Sequence, residues 1–206
     1  MSWNFLRPLL NTKSTLKAYV SAVIPNSLDT LEKQGSTALC GALDSHIDEF
    51  EIWSLNHLLS LNIIIFNVHI HLANATAKML EIAARQLIYL KENKDPINPK
   101  ILQEEGSFIC LSPNDRFRAI TLLEQNKVDI TKLPIPFRNN PGLVLAIMGE
   151  IAMFALLSYY NEWSGYGLTR TQTPEKRKLE HYPLSWDQVG YPGPSNGYHD
   201  FRGYPV

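Results

Sequence analysis

"NPGLVLAIMGEIAMFALLSYYNEW", residues 140–163, opens on an asparagine and a proline and then runs apolar to Tyr160. Asn140 can accept hydrogen bonds from the free N–H groups of a first helical turn. Pro141 suits the first helical position because it has no N–H to leave unpaired. Apolar residues fall on most faces of the stretch, the pattern of a helix surrounded by others. The run 143–157 is shorter than a bilayer crossing needs, and Glu150 stands in its middle. The expectation is therefore a helical bundle with this helix at its centre and no membrane span. Glu150 is expected to pair with a buried arginine or a backbone N–H, since an unpaired charge in an apolar helix is costly.

Outward from this helix the same period recurs. "STLKAYVSAVIP" offers Ser14 as a cap and places Leu16, Tyr19, Val20 and Val23 on one face, with Pro25 as the stop. "STALCGALDSHIDEF" repeats the pattern through Leu39, Leu43 and Ile47, and its acidic end, "DSHIDEFE", reads as solvated. From Ser54 to about Lys91 the chain has no Pro or Gly. Its "NIIIFNV" patch is compatible with a strand, but the flanks lack turn signals, so a buried helix is the reading. "LSPNDRFRAITLLEQN" carries a clear start: Ser112 as cap, Pro113 at the first position, and Asp115 completing a box-like pattern. Phe117, Ile120, Leu122 and Leu123 then form its apolar stripe.

Composition excludes several classes. Lys+Arg 19 against Asp+Glu 20 gives a net charge of -1, so neither nucleic acid nor anionic lipid is favoured. Cys40 and Cys110 sit in unlike contexts and read as buried thiols, with no zinc spacing. The N-terminus "MSWNFLRPLL" lacks the form of a secretory signal and has no twin-arginine pair, which places the chain in the cytoplasm at synthesis. Catalytic signatures are missing. His69 and His71 would diverge on a helix and converge only on a strand, while His46 and His57 stand alone. There is no G-x-S-x-G elbow, no HExxH and no Gly-rich phosphate loop. "EKRK", residues 175–178, reads as a solvated turn. No catalytic, cofactor or metal residue is assigned to this chain.

After Trp163 the period collapses into a stretch rich in Gly, Pro and aromatics, ending "SWDQVGYPGPSNGYHDFRGYPV". The division drawn is a helical domain over 1–162 and an extension over 163–206 that packs on the bundle, on a partner, or on both. The fold class is mainly α: an irregular helical bundle with a long non-regular C-terminal extension. Trp, Tyr and Arg are enriched at interface hot spots, and prolines reduce the entropy lost on docking. The partner-binding candidates are accordingly Trp163, Tyr166, Trp186, Tyr191, Pro192, Pro194, Tyr198, Arg202 and Tyr204.

"YYNEWSGYG", "WDQVGYPGP" and the closing "RGY", with "LKAYVSAVIP" and "LSPNDRFRA" upstream, resemble the gluconate 2-dehydrogenase subunit 3 family. That resemblance implies a non-catalytic small subunit and maturation partner of a membrane-associated, FAD-dependent dehydrogenase of the glucose–methanol–choline type. FAD would then reside in the large partner subunit, and in some complexes haem in a third, cytochrome subunit. Export would then depend on a signal carried by the partner, or else the complex stays inside the cell. The alternative is a stand-alone helical enzyme using Glu150 or the His69/His71 pair, or a scaffold with no redox partner.

Overall fold

The structure is a computed structural model, and it describes residues 12–26, 41–59, 61–63 and 68–193. In chain order its elements are α1 (Thr12–Val23), α2 (Ile47–His57), the strands β1 (Leu61–Ile63) and β2 (Val68–Ile70), α3 (Leu72–Tyr89), α4 (Pro99–Glu104), α5 (Ser107–Cys110), α6 (Pro113–Glu124), α7 (Pro141–Tyr160) and α8 (Leu184–Val189). Short 3-10 turns occupy Ile130–Lys132, Ser164–Thr169 and Pro174–Lys176. The fold is mainly α, as the sequence pattern indicates.

α3 forms the middle of the packing, against α6 and α5 on one side and α1 and α2 on the other, while α7 lies on α2 and α6. α3 is rich in Ala, Leu and Met, all strong helix formers, and its small alanines let neighbouring helices approach closely. Its buried stripe includes Leu72, Met79, Leu80, Ala83, Ala84 and Leu87. These meet Leu16 and Tyr19 of α1, Ile47 and Leu55 of α2, and Ala119 and Leu123 of α6 in one contiguous core.

The capping residues read from sequence at α6 and α7 are in place. Ser112 Oγ accepts the Asp115 N–H at 3.2 Å, and Asn140 Oδ1 accepts the Leu143 N–H at 3.1 Å. Other expectations are corrected. α1 begins at Thr12, so Ser14 lies inside its first turn. The expected helix through Leu43 does not form: residues 42–46 make turns, His46 takes a left-handed conformation (φ 54°), and α2 starts only at Ile47. Leu39 lies outside the described residues. The expected helix from Ser54 to Lys91 is split after His57 by an antiparallel pair of three-residue strands, with Leu61 opposite Ile70. Ile63 and Val68, at the two ends of that patch, lose rotamer freedom in a helix and fit extended backbone better. Asn56 Oδ1, at the end of α2, accepts the Ala73 N–H at 3.1 Å and so caps α3 across the break. In α6 the stripe holds for Ile120, Leu122 and Leu123, but Phe117 is exposed.

α7 departs from the central position expected of it. Val144, Ile147, Met148, Ile151, Phe154 and Ala155 are buried, while Leu145, Met153, Leu156, Leu157 and Tyr160 face outward. Glu150 is half-buried at the edge of that outer face rather than enclosed in the core.

Two buried carboxylates show how this core holds charge. Glu81 of α3 accepts the N–H groups of Ser107 and Phe108, each at 2.9 Å, and Arg85 Nε at 3.0 Å. Asp115 accepts the N–H groups of Lys94 and Asp95 and faces Arg118 Nε at 3.6 Å. Arg116 is the matching cation: its guanidinium donates to the carbonyls of Phe108, Ile109 and Ala18 and to Ser21 Oγ. It thereby ties "LSPNDRFRA" to "LKAYVSAVIP", two of the segments that carry the family resemblance. Replacing this half-buried donor set leaves the Phe108 and Ile109 carbonyls without it, at about 1–3 kcal/mol for such groups. Arg116→Met is expected to lower the urea midpoint by a destabilisation of that order or more. Arg116→Lys should recover only part of it, because an ammonium cannot span the same fork of acceptors.

Candidate functional site: the aromatic C-terminal segment

α7 ends at Tyr160, and the chain turns back over the bundle. Asn161 Oδ1 accepts the Trp163 N–H at 2.8 Å, which closes the helix end and aims the Trp163 indole inward. Trp163 is 2% exposed. Its Nε1–H donates to the His46 carbonyl at 2.9 Å, and its ring meets Phe50 edge-on, with centroids 5.1 Å apart. The left-handed His46 therefore has a local function: it presents its carbonyl to this indole. Arg177 closes the lid from outside, its guanidinium carbon 4.8 Å from the Trp53 ring centroid and 5.2 Å from that of Trp163. The "EKRK" cluster read as solvated thus contributes a partly desolvated cation–π contact, worth up to about 2 kcal/mol.

The glycines of "WSGYG" have steric reasons. A Cβ on Gly165 would lie 2.4 Å from the His181 carbonyl, because residues 163–170 and 179–183 run in close contact. Gly167 adopts φ 51° against Glu180, where a side chain would collide. Beside this contact is an open cleft of about 380 Å³, lined in part by Asp44, His46, Arg170, Glu180 and His181. Its one arginine is already engaged: Arg170 Nε meets Glu49 Oε2 at 2.8 Å. Burial tends to raise the Glu49 pKa, but hydrogen bonds from Arg170 and Lys13 outweigh it and hold the carboxylate below its usual range. Burial, followed by the nearby Arg170 charge, lowers the His46 pKa. The cleft is therefore lined by charge of both signs, with its arginine paired to Glu49.

α8 carries the second indole inward. Trp186 is buried and its Nε1–H donates to the Tyr160 carbonyl at 2.9 Å, an orphan acceptor at the end of α7. Tyr191 packs edge-on against it at 4.8 Å, and Tyr182 lies tilted on it at 5.4 Å. Gly190, at φ 67°, provides the left-handed turn that returns Tyr191 to the indole. Outward from this stack lie Tyr182, Leu184, Val189 and Tyr191, all exposed.

The sequence candidates therefore separate. Trp163 and Trp186 are covered by their own chain, Tyr166 is half-buried, and Tyr191 and Pro192 are exposed. Pro194, Tyr198, Arg202 and Tyr204 lie outside the described residues. Among the described residues no group of three or more His, Cys, Asp or Glu is placed to hold a metal ion. β2 ends at Ile70, so His71 follows the strand and precedes α3. Cys110 is half-buried, and burial pushes its thiol up to about 11, which keeps it protonated and unreactive.

One feature escaped the sequence reading entirely. Asp48 and Glu51, in the segment read as solvated, are buried in α2 beside Ser54. Glu51 is 0% exposed, and among the described residues neither of its carboxylate oxygens has a hydrogen-bond partner; Ser54 Oγ and Asp48 Oδ2 also lack one there. Burial raises the Glu51 pKa well above that of an ordinary glutamate. It also raises that of Asp48, against the pull of Lys17. The available signal was the spacing of three: Asp48, Glu51 and Ser54 share one face, in register with Leu55 one position on.

No family model, no curated protein and no solved structure matches this chain.

Proposed function

We propose that this chain is a non-catalytic accessory subunit whose exposed aromatic surface docks on a larger protein. The observation that carries this is the stack on Trp186. A buried indole anchors Tyr182 and Tyr191 in place, and these with Leu184 and Val189 present an apolar patch to solvent. Rings held this way lose little entropy on docking, and aromatic anchors of this kind dominate interface energetics. The neighbouring cleft, with its arginine neutralised by Glu49, suits a rim better than a reaction centre.

The partner's identity rests on the family resemblance of the sequence. It implies a large FAD-dependent dehydrogenase of the glucose–methanol–choline type, with a cytochrome in some complexes, and maturation or export of that enzyme as the shared task. Capture of tagged protein from its native cell, read by mass spectrometry and visible absorbance, tests this. The expected result is a stoichiometric large subunit with a flavin spectrum. Tyr191→Ala is expected to weaken capture at least tenfold, a hot-spot loss of about 2 kcal/mol, while thermal unfolding changes little. A purified chain that oxidises a sugar or alcohol without any flavoprotein would sink the reading.

A further inference from the structure

We propose that the outward face of α7 is a self-complementary surface on which two copies of this chain pair, α7 against α7, antiparallel about a two-fold axis beside Ile151. The helix is 20 residues long with mean hydropathy 1.9, yet only 39% of its apolar window is buried. Gly142, Leu145, Ala146, Gly149, Met153, Leu156, Leu157 and Tyr160 are all exposed and recur at intervals of three and four. They form one stripe about 120° wide by the 3.6-residue period.

The stripe is graded. Its N-terminal half is small (Gly142, Ala146, Gly149) and its C-terminal half is large (Met153, Leu156, Tyr160). An antiparallel copy centred on Ile151 sets Gly142 against Tyr160, Ala146 against Leu156 and Gly149 against Met153, with Leu145 against Leu157 as the remaining pair. Met153, Leu156 and Tyr160 thus each meet a small residue, while Leu145 and Leu157 lie at the two edges of the stripe; such self-matching is what a two-fold interface requires of a single patch. Space for it exists, since a Cβ on Gly149 would meet nothing within 4 Å.

The chemistry of the face favours a helical occupant. An extended segment laid on it would leave backbone N–H and C=O groups against apolar carbon, whereas a helix satisfies its own. The five large side chains, each 41–53% exposed, present on the order of 500 Å² per copy, so pairing removes at most about 1,000 Å² from water, the lower limit for a specific interface. Glu150 sits at the edge of the stripe, one residue from the axis, so the two carboxylates face each other on one side of the pair. That repulsion limits affinity. The proposal goes beyond the accessory role and uses a different surface, so failure to capture a flavoprotein leaves it standing.

The test is sedimentation velocity on the full chain over a wide concentration range, with variants at the two ends of the gradient. Gly149→Leu fits the free subunit, because its Cβ faces open space, and it removes a helical glycine; it blocks the close approach. The expected result is a reversible dimer that Gly149→Leu and Leu156→Glu each weaken at least tenfold with helicity unchanged, and that Glu150→Gln tightens. A chain that stays monomeric throughout overturns the proposal, as does a dimer indifferent to Gly149→Leu. Two further outcomes also overturn it: dimerisation only after residues 194–206 are deleted, which would make the tail the occupant, and uptake into phosphatidylcholine vesicles through the same face.

Discussion

Glu51→Gln is expected to stabilise the protein at neutral and alkaline pH and to flatten its stability profile above the ordinary glutamate range. Glu51 is fully buried with both carboxylate oxygens unpaired among the described residues, whereas Glu81 and Asp115 collect backbone N–H donors and arginines. An isolated ionised carboxylate cannot be held in such a place, so the group stays protonated in the folded chain. The sign of the linkage follows. The folded pKa lies above the unfolded value, so below about pH 4 both states carry the proton and this group imposes no penalty. As pH rises, unfolded chains release the proton and folded chains keep it, and stability falls by about 1.4 kcal/mol per pH unit until the folded pKa is reached. Each kcal/mol moves Tm by roughly 2–4 °C in a chain of this size. Glutamine fills the same volume with no proton to lose, so the gap between variant and parent should widen with pH. Asp48, whose pKa burial also raises, leaves a residual slope of the same sign. Urea midpoints of both proteins across this pH range are the measurement. Parallel curves would mean that Glu51 is ionised and paired in solution.

What the sequence made legible follows from where its signals are local. The caps Ser112 and Asn140 were readable because a cap is decided within one turn, by a side chain and an N–H two or three residues on. The break between α2 and α3 was not, because it depends on strand pairing of Leu61 with Ile70 and on Asn56 reaching across to Ala73. The burial of Glu51 was not, because an acidic run reads as solvated unless one knows which helices lie against it. Glu150 made the converse case: an apolar local sequence suggested burial, and the packing left α7 open on that side. In the C-terminal segment, composition marked the aromatics as interaction residues but did not reveal whose surface each would meet. That distinction is tertiary, and it divides Trp163 from Tyr191.

Trp163→Ala is expected to cost the fold about 3–5 kcal/mol, the range for removing a buried tryptophan. The loss has three identifiable parts. The indole fills space against Phe50 and Trp53, 5.1 and 6.2 Å between centroids. Its N–H satisfies the His46 carbonyl, which would be left without that donor in its left-handed turn. Arg177 would lose one of the two indole faces over which it sits, and its cation would be held near a cavity. The consequence reaches the extension as a whole, since Trp163 is where the chain after α7 first anchors to α2. Residues 164–183 should therefore become exchange-labile in Trp163→Ala before the core helices do. Hydrogen exchange followed by mass spectrometry, alongside urea unfolding, reads both effects at once. Trp163→Phe keeps the packing and loses the N–H, so it should recover more than half of the stability while leaving the His46 turn less protected. Partner capture by Trp163→Ala should fall in proportion to the disordering of the segment, whereas Tyr191→Ala should lose capture with the fold intact. A Trp163→Ala chain as stable and as protected as the parent would show that the indole is not an anchor in solution, and would return Trp163 to the list of partner-facing residues.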